Sequence, residues 1–155
     1  MELDWLSPSP QMWRARKLQL GLVAGVAILA AGLGLGIGVG AAAGIAVAAG
    51  IAVAAALYGV LLWRRYRAWG YAEREDDLLV RRGVMIRRLT VVPYGRMQFI
   101  DVTAGPVDRL FKLATVQLHT AAASTDARIP GLDTGEAERL RDRLAALGEA
   151  KATGL

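Results

Sequence analysis

The sequence predicts a membrane α-helical hairpin followed by a small, mainly-β domain in which one C-terminal helix covers an antiparallel sheet. The first observation is that residues 18 to 63 contain no Asp, Glu, Lys, Arg or His. The second is that after Arg67 the hydrophobic residues recur at strand spacing between Gly and Pro residues, and return to helical spacing only near the end. A single helix is too little to cover a parallel sheet, which favours an antiparallel one.

The uncharged stretch is long enough for two membrane spans. A helix rises ~1.5 Å per residue and needs ~20 apolar residues to cross the hydrocarbon layer. The stretch is therefore too long for one span and long enough for two. We expect spans at about residues 18–38 and 43–63. The turn should fall within residues 36–44, because four glycines weaken helix propensity there: Gly36, Gly38, Gly40 and Gly44.

Basic residues bracket both spans and set the expected orientation. They are Arg14, Arg16 and Lys17 before the first span, and Arg64, Arg65 and Arg67 after the second. Because basic flanks stay on the cytoplasmic side, we expect a multi-pass protein of the cell inner membrane with both termini cytoplasmic. The alternative is a secretory signal peptide, whose apolar region runs only ~7 to 15 residues, whereas this one continues into a second span.

Charge and composition exclude several classes of protein. The net charge of +5 is explained by the basic flanks, since acidic and basic residues nearly balance after Arg67. That part of the chain lacks the electrostatic footprint of a nucleic-acid-binding domain. The absence of Cys excludes disulfides and thiolate metal sites.

The expected organisation has four parts: a flexible tail over residues 1–12, the two spans within 13–66, the β domain over 67–148, and a short tail over 149–155. Strands are expected at 77–82, 84–92, 97–104, 114–120 and briefly at 128–129, with a short helix beginning at Pro106. A final helix is expected over 133–147. Asp133 and Glu136 have capping-box spacing, Leu140 and Leu144 lie on its apolar face, and Gly148 supplies a stop.

Small residues dominate the middle of the predicted hairpin. Glycines at positions 32, 36, 40 and 44 form a GxxxG series, and residues 45–56 of the second span are mostly Ala. Small residues four apart let helix backbones approach closely, either within the hairpin or against another membrane helix. Because the turn must use some of these glycines, specific oligomerisation through the series is the weaker alternative.

A family pattern is present over residues 81–121, RRGVMIRRLTVVPYGRMQFIDVTAGPVDRLFKLATVQLHTA. Its marks include Arg82-Gly83-Val84, Val92-Pro93-Tyr94 and Gly105-Pro106, and Ile129-Pro130-Gly131 follows before the last helix. With these residues the chain resembles the bacterial pleckstrin-homology (PH) domain of the second type, found in YdbS-like membrane proteins, over residues 18–147. Lys112 stands where that family is expected to have Gly. The resemblance implies a seven-stranded, strongly bent sheet or barrel capped by a C-terminal helix, and it brings no catalytic residues.

Few polar residues offer chemistry. Asp76 and Asp77 are neighbours, which point to opposite faces of a strand and suit a solvated turn better than a metal site. His119 is the single histidine and is expected to bond locally. Ser124, Thr125 and Asp126 lack the sequence motif of a nucleophile and a positioned histidine. We therefore expect no catalytic residue, no metal, no cofactor and no enzyme activity.

The arginines of the predicted hairpin are the candidate contact residues: Arg81, Arg82, Arg87 and Arg88. Guanidinium groups hold phosphates in forked hydrogen bonds, although nearby acids could pair with them instead. The leading hypothesis is a non-enzymatic integral membrane protein with a cytoplasmic interaction domain, in a membrane or cell-envelope complex. One alternative is a sensor of anionic lipid head groups. The other is an accessory subunit of a transport complex docked through the Ala-rich span, with a protein partner or a second copy.

Overall fold

The computed structural model describes residues 4–121 and 126–154. They form two compact units. One unit is residues 13–64, and the other combines the residues up to 12 with those from 65 onward. The chain therefore begins in the second unit, leaves it for the first, and then returns.

The first unit is a helical hairpin made by α1, Pro10–Gly38, and α2, Ala41–Ala68. Both helices are long and apolar enough to cross a membrane. The turn lies at Val39 and Gly40, within the predicted interval, and Gly40 has a φ of 133°, which favours glycine. Both helices extend beyond the expected spans at their polar ends, because Arg, Lys and Gln are good helix formers.

Small residues bring the two helices together beside the turn. A Cβ atom added to Gly44 would lie 2.6 Å from the carbonyl oxygen of Gly32 and 3.0 Å from the Cα atom of Gly36. The backbones are therefore in direct contact at this point, and Ala48 lies next along the same contact. Part of the GxxxG series is used inside the hairpin.

The second unit contains two three-stranded antiparallel sheets in the described part of the chain. The first sheet has the order β1–β2–β3, with β1 at Gly70–Glu73, β2 at Asp77–Arg82 and β3 at Arg88–Pro93. The second has the order β4–β5–β6, with β4 at Met97–Thr103, β5 at Leu113–Thr120 and β6 at Ala127–Asp133. A 3₁₀ turn, Tyr94–Arg96, joins the sheets, and α3, Pro106–Leu110, joins β4 to β5.

The last helix, α4, covers Thr134–Ala152 and closes the core of this β domain. Its residues Ala137, Leu140 and Leu144 are fully buried, as their spacing predicts. They pack with side chains from both sheets, among them Tyr71, Leu78, Val80, Val92, Tyr94, Val116, Leu118 and Ile129. The predicted fold class is confirmed: an apolar helical hairpin precedes a mainly-β domain with one C-terminal helix.

Several boundaries differ from those expected. β3 begins at Arg88 and not at residue 84, so the β2–β3 turn is longer than two residues. β1 and most of β6 carried too few β-branched residues to be predicted at their full length. Six strands are present in the described residues where the resemblance implies seven, and Leu6 adds an isolated bridge to Tyr71 on the free side of β1.

The ends of α4 also differ from the expectation. Asp133 is the N-terminal flanking residue but makes no side-chain cap, because its carboxylate accepts a hydrogen bond from the Ser9 hydroxyl at 3.2 Å. Glu136 is hydrogen-bonded to Tyr71 and Arg139 instead of the helix end. Gly148 does not stop the helix, which continues through most of the expected C-terminal tail.

Residues 4–9, expected to lie in a flexible tail, contact the β domain. Leu6 and Tyr71 exchange two backbone hydrogen bonds of 2.8 and 3.0 Å. The Ser9 amide donates to the Gly131 carbonyl oxygen at 2.7 Å. These contacts are between residues far apart in sequence, which the Pro and Ser composition of the segment does not reveal.

Candidate interaction surface

The tip of the β2–β3 hairpin is the most exposed apolar segment of the β domain. Gly83 begins the turn with a φ of 105°, a conformation that favours glycine. Beyond it Met85 is 96% exposed and Ile86 is 73% exposed. In the sequence this tip is an apolar run between two pairs of arginines. Only the structure shows that the run forms a loop and not a strand.

The four arginines of the hairpin do not form one cluster. Arg82 pairs directly with Arg88 across the two strands, on the face that carries Leu78 and Val80 to the core. Arg81 lies on the opposite face, where its guanidinium stacks over the Trp5 ring at 4.7 Å. Arg87 lies in the turn and is exposed. The structure therefore brings Arg82, Arg87 and Arg88 to one tip and assigns Arg81 a separate aromatic contact.

The acids of the β1–β2 turn lie at the opposite end of the sheet from the tip and have other partners. Glu73 binds Arg139 at 3.1 Å and Arg143 at 2.9 Å, and the Asp76 carboxylate binds Lys151 at 2.6 Å. Asp77 lies 3.3 Å from Arg74. Among residues 4–121 and 126–154, no carboxylate forms an ion pair with Arg82, Arg87 or Arg88.

The Arg82–Arg88 pair thus has an electrostatic cost without a visible compensation. Like charges directly opposite on neighbouring strands repel, and Arg82 and Arg88 are directly opposite each other on the same face of the sheet. A bound anion would remove this cost through forked hydrogen bonds.

The outer edge of β3 is a second exposed feature. β3 is the last strand of its sheet, and no described residue pairs with its free side. Leu89 and Val91 point away from the core face and are 58% and 42% exposed. Such an edge offers unpaired backbone donors and acceptors next to apolar side chains. β4 and β6 are the edges of the other sheet, and α4 contacts both of them.

The other candidate residues have local partners. His119 stacks on Phe99 with ring centres 4.3 Å apart, and its Nδ1 lies 3.4 Å from Asp126 Oδ2. Asp76 is exposed in the β1–β2 turn and binds Lys151, whereas Asp77 is a half-buried residue at the start of β2 beside Arg74. Ser124 and Thr125 lie outside the described residues. Within the described residues, no group of three or more His, Asp and Glu side chains is placed to hold a metal ion.

The most strongly perturbed groups hold α4 to β1. Burial, and then the neighbouring Glu136 carboxylate, raise the pKa of the Tyr71 phenol well above its usual range, so it remains a hydrogen-bond donor. A hydrogen bond from Arg139 lowers the pKa of Glu136, against a smaller opposing effect of burial. Burial also raises the pKa of Tyr94, whose hydroxyl donates to the Arg74 carbonyl oxygen at 2.8 Å. Tyr71 and Tyr94 belong to the core of the domain, so these groups hold its elements together.

Comparison with known proteins identifies the family. The model of the family described as "Bacterial PH domain" matches residues 18–148, which include both the helical hairpin and the β domain. The chain belongs to the bacterial PH domain family. The resemblance drawn from the sequence is confirmed, and the β domain is a PH domain.

Two relatives come from Bacillus subtilis (strain 168). UPF0699 transmembrane protein YdbS is 36% identical over 83 residues, which make up 54% of this chain and 51% of YdbS. UPF0699 transmembrane protein YdbT is 27% identical over 85 residues, which make up 54% of this chain and 17% of YdbT. The matches therefore span about half of YdbS and a smaller share of YdbT. No solved structure gives a significant match.

Proposed function

We propose that this chain is a non-enzymatic membrane protein whose PH domain docks a protein partner within a membrane or cell-envelope complex. The observation that carries the proposal is the open edge of β3, with Leu89 and Val91 exposed beside it. An extended segment can add to such an edge through main-chain hydrogen bonds while its side chains contact the flanking apolar residues. Arg88 at the start of the strand favours a segment that carries acidic residues.

The membrane placement rests on separate observations. YdbS and YdbT are named as transmembrane proteins, and this chain has two helices able to span a membrane. Residues before the first helix bond to residues after the second, which supports both flanks lying on one side. The basic flanks favour the cytoplasmic side of the inner membrane for the PH domain.

Site-specific photo-crosslinking in native membranes tests the docking edge. A photoreactive residue at Leu89 should give a discrete adduct with another membrane protein, and the crosslinked peptide should be an extended, acidic segment. Val91→Glu should abolish that adduct, because a like charge repels the segment at the edge. Leu110→Glu is the matched control, since Leu110 is 77% exposed on α3 and is not part of the edge.

The alternative in which the Ala-rich span docks a partner has its own test. Ala52 is exposed, whereas Ala48 lies against the α1 contact within the hairpin. If the span docks a partner, Ala52→Leu should reduce co-purification while the hairpin stays intact. If Val91→Glu abolishes the Leu89 adduct and Ala52→Leu leaves co-purification unchanged, the β3 edge is the docking surface. An unchanged Leu89 adduct in Val91→Glu would contradict the edge proposal.

A further inference from the structure

The apolar residues of the β2–β3 tip are largely exposed, and its arginines lack carboxylate partners in the described residues. The strand pairing also places the tip at a defined end of the sheet. That position matters because the PH domain is joined to a membrane helix. Gly70 begins β1 two residues after α2 ends, and it pairs with Arg81 near the end of β2. The tip therefore lies at the end of the sheet where the chain enters from α2.

The pairing also sets how far the tip extends. β1 runs away from its entry point while β2 runs back toward it, and the Arg82–Arg88 pair lies one position beyond Gly70. A strand rises ~3.3 Å per residue, so the tip residues reach roughly 5 to 10 Å past the point of entry. The chain before that point carries Arg64, Arg65 and Arg67, the basic residues that flank the second span.

We propose that the β2–β3 tip inserts Met85 and Ile86 into the head-group layer of an anionic membrane, with Arg82, Arg87 and Arg88 binding lipid phosphates around it. Met85 and Ile86 would lose contact with water, which is the driving force for apolar insertion. The arginines would gain anionic partners that relieve the repulsion between Arg82 and Arg88. The short link to α2 keeps the bilayer at a high effective concentration.

The tip and the proposed docking edge are different surfaces that share one residue, Arg88 at the start of β3. The tip residues 83–87 precede β3, whereas the edge contacts are Leu89 and Val91 on the strand itself. An inserted tip would hold the sheet in one orientation at the membrane and leave the edge accessible. Failure of either proposal is therefore seen in a separate measurement.

The natural absence of Cys allows a direct test with the full chain. Met85→Cys and, as a control, Glu75→Cys each carry one environment-sensitive fluorophore, and each protein is reconstituted into vesicles. Glu75 is exposed in the β1–β2 turn, at the opposite end of the same sheet. The vesicles contain phosphatidylcholine alone or with phosphatidylglycerol, and lipid-borne quenchers report on contact with the bilayer.

The expected result is strong quenching of the label at position 85 in anionic vesicles, with little in neutral vesicles and little at position 75 in either. Arg87→Glu in the Met85→Cys background should lower the ratio of inserted to free tip by roughly fivefold or more, because an arginine near an anionic surface is attracted to it. Raising the salt concentration should also reduce the quenching of the label at position 85, because salt screens the attraction between arginine and anionic lipid.

Three results would overturn the proposal. Equal weak quenching at positions 85 and 75 would show that the tip stays in water. Equal strong quenching of position 85 in neutral and anionic vesicles would exclude recognition of lipid phosphate. Shielding of position 85 from water that depends on protein concentration, without lipid quenching, would identify a second copy of the chain as the occupant.

Discussion

At the scale of single residues, Leu144 shows how much of the PH domain depends on the C-terminal helix. Its side chain is fully buried between α4 and the sheets, whereas its neighbour Arg143 is largely exposed and holds Glu73 at 2.9 Å. We expect Leu144→Ala to lower the free energy of unfolding by ~2 to 5 kcal/mol, because it leaves a cavity in the core. Arg143→Ala should cost less than ~1 kcal/mol, since exposed ion pairs contribute little.

Chemical denaturation of the full chain in detergent, followed by the fluorescence of its tryptophans, measures both variants. Similar losses for the two substitutions would mean that the apolar face of α4 is assigned wrongly.

Glu136 makes the stability of the PH domain depend on pH. Its pKa in the folded protein is lowered from the ordinary 4.5, first by the hydrogen bond from Arg139. A group with a lowered folded pKa contributes stability that is present above its unfolded pKa and is lost as pH falls through the folded one. We therefore expect the unfolding free energy to decline as pH falls below about 4.5.

The matched variant is Glu136→Gln, which keeps the shape of the side chain and removes its titration. Denaturation curves over the acidic range should decline less steeply for Glu136→Gln than for the natural protein. Parallel curves would assign the acid sensitivity to other carboxylates, such as Asp76, whose pKa is lowered by Lys151.

At the scale of elements, the helical hairpin depends on one glycine more than on its neighbours. A Cβ atom at Gly44 would meet the Gly32 carbonyl oxygen at 2.6 Å, whereas a Cβ atom at Gly50 of the same helix would meet nothing within 4 Å. Gly44→Ala should force the helices apart and destabilise the hairpin by ~1 to 3 kcal/mol. Gly50→Ala should be neutral or stabilising by up to ~1 kcal/mol, since Ala is the better helix former.

Cysteine crosslinking between the two helices close to the turn, in otherwise natural protein, reports their separation. Crosslinking should fall in Gly44→Ala and stay unchanged in Gly50→Ala. An equal response to both substitutions would show that close backbone contact is not what joins α1 and α2.

Some elements are predicted from the sequence better than others. The physical reason is whether an element is fixed by residues near it in the sequence or by residues far from it. β2 has the predicted bounds because its apolar run and flanking polar residues are a local signal. The sequence predicts that α4 ends at Gly148, because glycine has a low helix propensity. In the structure Gly148 packs close to the Tyr94 carbonyl oxygen, and such tertiary contacts outweigh the propensity of one residue. Lys112 adopts a φ of 52°, which a Gly would favour, as the family pattern indicates.

The candidate interaction surface was predictable only in part. The sequence alone picks out Arg81, Arg82, Arg87 and Arg88, because four arginines around a turn are a local pattern. It does not reveal that Arg81 is held by Trp5, since these two residues are far apart in the sequence. Nor does it reveal that Glu73 and Asp76 lie at the opposite end of the sheet from the tip, where residues of α4 bind them.

At the scale of the whole molecule, the topology makes a prediction about labelling. The turn at Gly40 is expected outside the cytoplasm and the PH domain inside it. A cysteine at Gly40 should react with an impermeant reagent added to intact cells, and a cysteine at Glu138, which is exposed on α4, should react only after permeabilisation. Reaction at Glu138 in intact cells would reverse the proposed orientation.

The bridge between Leu6 and Tyr71 has a consequence for how the protein is made. Leu6 leaves the ribosome long before Tyr71, Gly131 and Asp133, the residues that it and Ser9 bind. The PH domain can therefore be completed only after both helices have been synthesised, and, with the proposed topology, only if the first residues stay on the same side of the membrane. A chain that inserted one span would leave a bilayer between the two halves of this bridge. With the proposed topology, completion of the domain therefore depends on the insertion of both helices, and a chain that inserted only one would leave β1 without its bridge to Leu6.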